Sequence, residues 1–220
     1  MNTTVHYLLK FGTKLNVQRL YLHGEIYMNT VQSFAELEKK EVGDKFERTV
    51  EIKNFGKGNL KLTSVETGKT VNLDLQSGQY KKDYLGDLGN IYCTYALSDQ
   101  LLKRKLVHRV DKRMLLFGTD CLIIHNVPKF FELIENELKR LEVKYIHNLV
   151  QYHNFKKNNH KVTYFHKSHL YSYQHEHRLV AFNKTGFPLV INIGSLKDIS
   201  DIYRAEDVVN KVTFDEDYGT

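Results

Sequence analysis

The apolar positions of this chain come mostly in short runs, and polar or glycine-bearing stretches interrupt them. That rhythm suits strands better than long helices. Val5-His6-Tyr7-Leu8-Leu9-Lys10-Phe11 predicts a first strand. Residues 13–23 then predict a helix, with Val17, Leu20 and Tyr21 on one face and Gly24 placed to end it. Ile26-Tyr27-Met28-Asn29 restarts as a strand. Residues 34–48 carry Glu36, Glu38, Lys39, Lys40, Glu41 and Asp44, the pattern of an exposed loop or short helix.

From 49 to 75 the pattern changes to short strands separated by Asn54-Phe55-Gly56-Lys57-Gly58 and Glu66-Thr67-Gly68-Lys69. Glycine there supplies the positive φ of tight turns, so this is hairpin chemistry. Residues 76–90, with Gly78, Gly86 and Gly89, are expected to form a loop, and 49–90 together an inserted β-hairpin unit. Residues 91–97 form the clearest central strand, and 121–125 a second. Pro128 opens an amphipathic helix over 128–145, with Phe131, Ile134, Leu138 and Leu141 at helical spacing. Strands follow at 143–152, 178–182 and 189–193, and a short polar helix at 199–210. The sum is an α+β fold: a mainly antiparallel or mixed sheet, two principal helices and the hairpin insertion, in one domain spanning 1–220. No internal repeat is visible, and Pro128 and Pro188 are the only prolines.

Composition narrows the picture. A hydrophobic content of 41% and an aromatic content of 12% suffice for a packed interior. No apolar run approaches the ~18–20 residues that span a bilayer, and the first residues lack the form of a signal peptide. Cys93 and Cys121 lie in apolar strands and read as buried free thiols. These features point to a cytoplasmic protein without membrane association. The net charge of +6 favours a polyanionic partner, nucleotide or nucleic acid.

The most unusual local feature is a crowd of histidines: His153, His160, His166, His169, His175 and His177. Interleaved with them are Lys156, Lys157, Lys161, Lys167 and Arg178, and the aromatics Tyr152, Phe155, Tyr164, Phe165, Tyr171 and Tyr173. A nucleic-acid surface would use the lysines against phosphates and the tyrosines as stacking platforms. A metal site is the weaker reading, because no carboxylate or thiol completes a familiar spacing, and no metal is expected. His175 and His177 are expected to share a strand face. A solvated basic loop anchored by tyrosines remains the plain alternative.

Gln174 and Glu176 stand before the apolar run Leu179-Val180-Ala181-Phe182. In an extended segment both point the same way, and a carboxylate at a strand mouth is held rigidly enough for catalysis. The alternative is a surface pair of Glu176 with Arg178 or a nearby lysine. A third candidate, Gly43-Asp44-Lys45-Phe46-Glu47, offers acidic groups for a cation or a substrate hydroxyl, or else caps a turn.

Three stretches together resemble a widespread bacterial family of unknown function. They are Gly24-Glu25-Ile26-Tyr27-Met28-Asn29-Thr30, Gly43-Asp44-Lys45-Phe46-Glu47, and Lys167 followed by Tyr171-Ser172-Tyr173-Gln174-His175-Glu176-His177-Arg178. The family pattern reads G-D-x-F-E and K-x(3)-[WY]-x-Y-[EQ]-x-E-x-R. The Ile193-Gly194-Ser195-Leu196-Lys197-Asp198-Ile199 stretch also resembles a frequent family ending. Lys45 stands where the commoner version has proline, and Gln174 where it often has glutamate.

A looser resemblance, to ADP-ribosyltransferase folds, implies roles. His6 would orient the ribose of NAD, Tyr95 or Tyr27 would stack on nicotinamide, and Glu176, beside Gln174, would stabilise positive charge on the ribose. On the residues themselves, Gln174, Glu176 and Arg178 are the centre, with Lys167, Tyr171 and Tyr173 before them as a substrate-facing, substrate- or cofactor-binding rim. The expected function is therefore an ADP-ribosyltransferase-like, nucleotide-handling protein, a toxin or phage-defence effector. The alternatives are a nucleic-acid-binding protein or ribonuclease using 152–178, and a non-catalytic interaction component of a defence or regulatory operon.

Overall fold

The computed structural model describes residues 3–36, 46–84, 89–102, 108–183 and 185–214. β1 (Val5–Gly12) leads into α1 (Lys14–His23), whose first turn is capped by the Thr13 hydroxyl accepting from the Asn16 N–H. Gly24 closes the helix in the left-handed region at φ 60°, its N–H donating to the Leu20 carbonyl at 2.8 Å. A side chain at Gly24 would also collide with the Gly194 carbonyl, its Cβ lying 2.2 Å from that oxygen. The glycine thus fixes both the end of α1 and its seat on the sheet.

β2 (Glu25–Thr30) and α2 (Val31–Glu36) follow. In the expected insertion, β4 (Gly58–Thr63) and β5 (Thr70–Leu75) form an antiparallel ribbon, while β3 (Thr49–Phe55) and β6 (Gly78–Asp83) pair antiparallel in a three-stranded sheet that residues 160–161 complete. The loop expected at 76–90 is thus corrected in its first part. Gln79 to Asp83 pairs with β3 but is exposed and polar, so it carries no alternation to read. In the β4–β5 ribbon, Leu60 faces Leu73 and Leu62 faces Val71, all of them exposed.

β7 (Asn90–Ser98) is the axis of the main sheet. It is followed by α3 (Asp99–Leu102), a 3₁₀ turn (Lys112–Phe117), β8 (Asp120–Ile124) and α4 (Val127–Arg140). Then come β9 (Tyr145–Leu149), β10 (Gln151–His153), β11 (His160–Lys161), β12 (His166–Ser168) and a second 3₁₀ turn (His169–Gln174). β13 (Glu176–Ala181), β14 (Leu189–Asn192), β15 (Ser200–Arg204) and α5 (Ala205–Lys211) complete the order.

The fold is α+β with antiparallel pairing throughout the main eight-stranded sheet, while β10 and β12 pair in parallel. β13 lies along one edge of β7 over residues 90–95. The other edge is shared. β2 pairs with Ile91 and Asn90, whereas β1 pairs from Tyr95 to Ser98. Beyond β1 come β8 and β15; beyond β2 comes β14.

One face of the sheet packs Leu8, Tyr92, Ala96, Leu122, Ile124 and Leu179 under α1 and α4. The opposite face packs Leu9, Phe11, Tyr95, Leu97 and Cys121 with Met114 and the α5 residues Val208 and Val209. Val127, Phe130, Ile134 and Leu138 are the buried stripe of α4. The helix is shorter than 128–145: it ends at Arg140, and Glu142 takes φ 56° before the chain turns into β9.

The helix expected at 199–210 is only half helical. Residues 200–204 pair with β8 as β15, a strand at the end of the sheet that is exposed at every residue but Ser200, so the ladder partner and not a buried face makes it a strand. The strand expected at 143–152 divides into β9 and β10. Among the described residues no helix is long and apolar enough to cross a membrane.

Where β9 and β13 meet under α4, His147 Nδ1 lies 3.1 Å from His177 Nε2, and Phe131 packs against both rings. Burial, with His147 adding to it, drives the His177 pKa from 6.5 to about 3. The unfolded chain takes up a proton near 6.5 and the folded chain only near 3. The unfolded state therefore binds more protons in that window, and stability falls as pH drops through it. Thermal melts between about pH 7.5 and about pH 5 should lose several degrees, and His177→Phe should flatten that slope. An unchanged slope in the variant would place the acid sensitivity elsewhere.

Candidate functional site

The shared edge of β7 leaves a break. Residues 92–94 are paired by neither β1 nor β2, so the sheet is split there. Lys10 lies at the split. Its Nζ donates to the Cys93 carbonyl at 2.7 Å and lies 4.3 Å from the centroid of the Tyr92 ring. A cleft of about 630 Å³ opens at this point. Val17 and Leu20 from the α1 side line it, and so do Phe11 and Met114 from the opposite side, so both layers of the fold contribute walls. Tyr27, Asn29 and Phe34 line it from the β2–α2 segment.

At the wall formed by β13 is a buried cluster of charge. Arg178, 2% exposed, donates from Nη2 and Nη1 to the two Glu47 oxygens at 2.6 and 2.9 Å, and from Nε to Glu176 Oε2 at 2.7 Å. It also donates to the Tyr164 carbonyl. Lys167 Nζ donates to Glu176 Oε1 and Gln174 Oε1, each at 2.7 Å. Two carboxylates thus balance two cations, and planar guanidinium geometry suits the paired contact with Glu47.

Burial alone would raise the Glu176 pKa, but Arg178 and Lys167 outweigh it and hold the group at about 2. Burial pulls Lys167 and Arg178 downward, and the carboxylates beside them reverse that pull, so both stay charged. The Cys93 thiol is pushed up to about 12, by burial first and Glu176 second, which leaves it no nucleophile at neutral pH. Lys10 is lowered by burial, against a smaller opposing pull from Cys93 and Glu176.

Of the residues singled out from the sequence, Gln174, Glu176, Arg178, Lys167 and Tyr27 all line this cleft. Glu176 is paired with Arg178 and a lysine, as its alternative reading had it, but in the interior and not on the surface. Tyr171 lies beside Lys167, its ring 5.0 Å from Nζ; Tyr173 accepts from the Gln174 amide at 3.2 Å while Arg113 lies over its ring.

His6 is elsewhere. It sits at the far end of β1, 2.5 Å from an Asp99 carboxylate oxygen, and is not a cleft residue. Tyr95 is the register partner of Glu176 and borders the cleft, but its hydroxyl is committed to His108 Nε2. The three residues therefore do not converge as a catalytic set. Tyr95 pairs with Leu9, and His6 lies three residues back along β1, roughly 10 Å away, where Asp99 holds it.

The histidine crowd also divides. His175 adopts φ 38° at the end of the 3₁₀ turn and packs on Tyr95 and His108; His177 faces His147. The expected shared face is thus corrected, because the left-handed residue breaks the strand alternation. The His153 ring packs against those of His160 and His166, with centroids 4.8 and 4.9 Å apart. Of Gly43-Asp44-Lys45-Phe46-Glu47, positions 43–45 lie outside the described residues. Phe46 packs on Phe155, and Glu47 reaches Arg178.

Sequence reasoning passed over Lys10 and Tyr92. The available signal was a lysine set between Leu9 and Phe11 in an otherwise apolar strand. All three stretches behind the family resemblance meet at this cleft: Glu25, Tyr27 and Asn29 from the first, Glu47 from the second, and Lys167, Gln174, Glu176 and Arg178 from the third. No family model, curated protein sequence or solved structure matches the chain. What fold and site define is an α+β protein with a split sheet whose cleft is walled by a buried, charge-balanced cluster.

Removing the guanidinium would leave Glu47 and Glu176 buried together with Lys167 as the remaining cation of the cluster. Arg178→Met should therefore cost about 3–5 kcal/mol in a urea denaturation series. Stability within about 0.5 kcal/mol of the parent would show that the cluster does not hold β13 to the 46–49 segment.

Proposed function

We propose that the cleft binds a nucleotide and that the protein is a nucleotide-handling enzyme of the ADP-ribosyltransferase kind, with NAD as substrate. The observation that carries this is the combination of three surfaces in one cleft. Tyr27, Phe34 and Phe117 supply apolar side chains, Lys10 supplies positive charge, and Glu176 stands ionised between fixed partners. A base, its phosphates and its ribose ask for these three kinds of surface.

In this reading Glu176 accepts a ribose hydroxyl. Its charge is already offset by Lys167 and Arg178, so its contribution is a rigidly held acceptor more than a bare negative field. As the bond from ribose to nicotinamide breaks, the electron pair leaves with nicotinamide and positive charge grows on the ribose, until water or the nucleophile of an acceptor bonds that carbon and gives its proton to solvent. A fixed acceptor at the hydroxyl disperses part of that charge. Tyr27, half-exposed on β2, is the stacking residue of this scheme, and His6 and Tyr95 have no part in it.

The nucleic-acid alternative keeps only the exposed Lys156, Lys157 and Lys161, because Lys167 is committed to the buried cluster. A non-catalytic role would fit a Glu176 lying on an open surface; here it is 7% exposed and lines the cleft.

NAD consumption measured by nicotinamide release tests the proposal. Wild type should turn NAD over, and Glu176→Gln, which keeps the shape and loses the charge, should be slower by roughly 10²-fold or more. Equal rates in both, or no turnover of NAD with any acceptor offered, would sink it.

A further inference from the structure

We propose that the break in the sheet is a phosphate subsite, in which Lys10, Tyr92 and the first turn of α1 receive the phosphoryl oxygens of a bound nucleotide. This rests on the nucleotide reading above and deepens it, by dividing the cleft into a phosphate end at β7 and a ribose end at Glu176.

Tyr92 is the first observation. It is 5% exposed and lines the cleft, yet its hydroxyl has no hydrogen-bond partner among the described residues. Buried tyrosine hydroxyls nearly always have one, so an unsatisfied one in a cleft wall marks a place for an acceptor. A phosphoryl oxygen is such an acceptor.

Lys10 is the second, and it is independent. Its ammonium carries three N–H groups, and the Cys93 carbonyl takes one of them at 2.7 Å. It stands over the Tyr92 ring, so an oxygen reaching the amine also comes near the phenol. Burial lowers the amine's pKa, and an arriving anion would raise it again. The neighbouring acids do not cancel it: Glu176 is held by two cations, and Glu25 pairs with Arg19 at 3.4 Å.

α1 adds the third element. Its N-cap Thr13 and first-turn Asn16 line the cleft, and the first turn carries no acidic residue. The partial positive charge of a helix N-terminus favours an anion at that place.

The test is calorimetric titration of the whole chain with ADP, adenosine and inorganic pyrophosphate. ADP and pyrophosphate should bind wild type, and adenosine should bind at least roughly tenfold more weakly than ADP. Lys10→Met should weaken ADP and pyrophosphate by roughly tenfold or more and leave adenosine unchanged. Tyr92→Phe should weaken them by about threefold or more, while its melting temperature stays equal or rises, because it removes an unsatisfied buried hydroxyl. Fold damage alone would not lower affinity in a variant that melts no earlier, so Tyr92→Phe decides the matter even if Lys10→Met fails to fold.

ADP no tighter than adenosine, no binding of ADP or pyrophosphate, or full affinity in Tyr92→Phe would each overturn the subsite. The two readings fail separately. Pyrophosphate binding that both variants weaken, without NAD turnover, keeps the subsite and removes the enzyme reading. NAD turnover with phosphate affinity untouched by either variant does the reverse. If pyrophosphate binds as tightly as ADP, the source of the anion is free pyrophosphate and not a nucleotide.

Discussion

Arg178 is the residue on which the arrangement turns. A guanidinium 2% exposed is costly to bury, and it is tolerated because Glu47, Glu176 and the Tyr164 carbonyl take its donors. Through those contacts it ties β13 to the Tyr164 carbonyl shortly before it in the chain and to Glu47, 131 positions away. Lys167 completes the balance by meeting both Glu176 and Gln174. The strand that carries Glu176 is therefore fixed by charge on one face and by the apolar packing of Leu179 and Ala181 on the other.

The second constraint is the split beside β7. An antiparallel sheet normally pairs its backbone continuously, and an open stretch in its middle leaves polar groups to satisfy. Here Lys10 meets the Cys93 carbonyl, and the cleft opens where the strands part. The break and the buried cluster are adjacent because β13 runs along the intact edge of the same strand. Lys10, Tyr92 and Glu176 thus line one cleft.

The strand pattern of β1, β2, β7 and β8, the cap at Gly24 and the amphipathic α4 were legible in the sequence. Each depends on local chemistry: alternation, a left-handed glycine, apolar residues at helical spacing. The late motif around Gln174 and Glu176 was legible as well. Its meaning was not, since the same residues would have read alike as an exposed pair. β6 and β15 were not legible, because they are exposed almost throughout and their strand character comes from the partners β3 and β8.

The histidine crowd shows the same division. Its density in sequence suggested one site, yet the rings are parcelled among His153, His160 and His166 in one place, His175 with His108 in another, and His177 with His147 in a third. Lys10, Tyr92 and Glu176 form one cleft although more than 160 positions separate the first from the last. The sequence by itself determined which segments extend, coil and cap, since those preferences act over a few residues. Only the tertiary structure decided which charges would neutralise one another and where the sheet would part, because both follow from pairings between segments far apart in the chain.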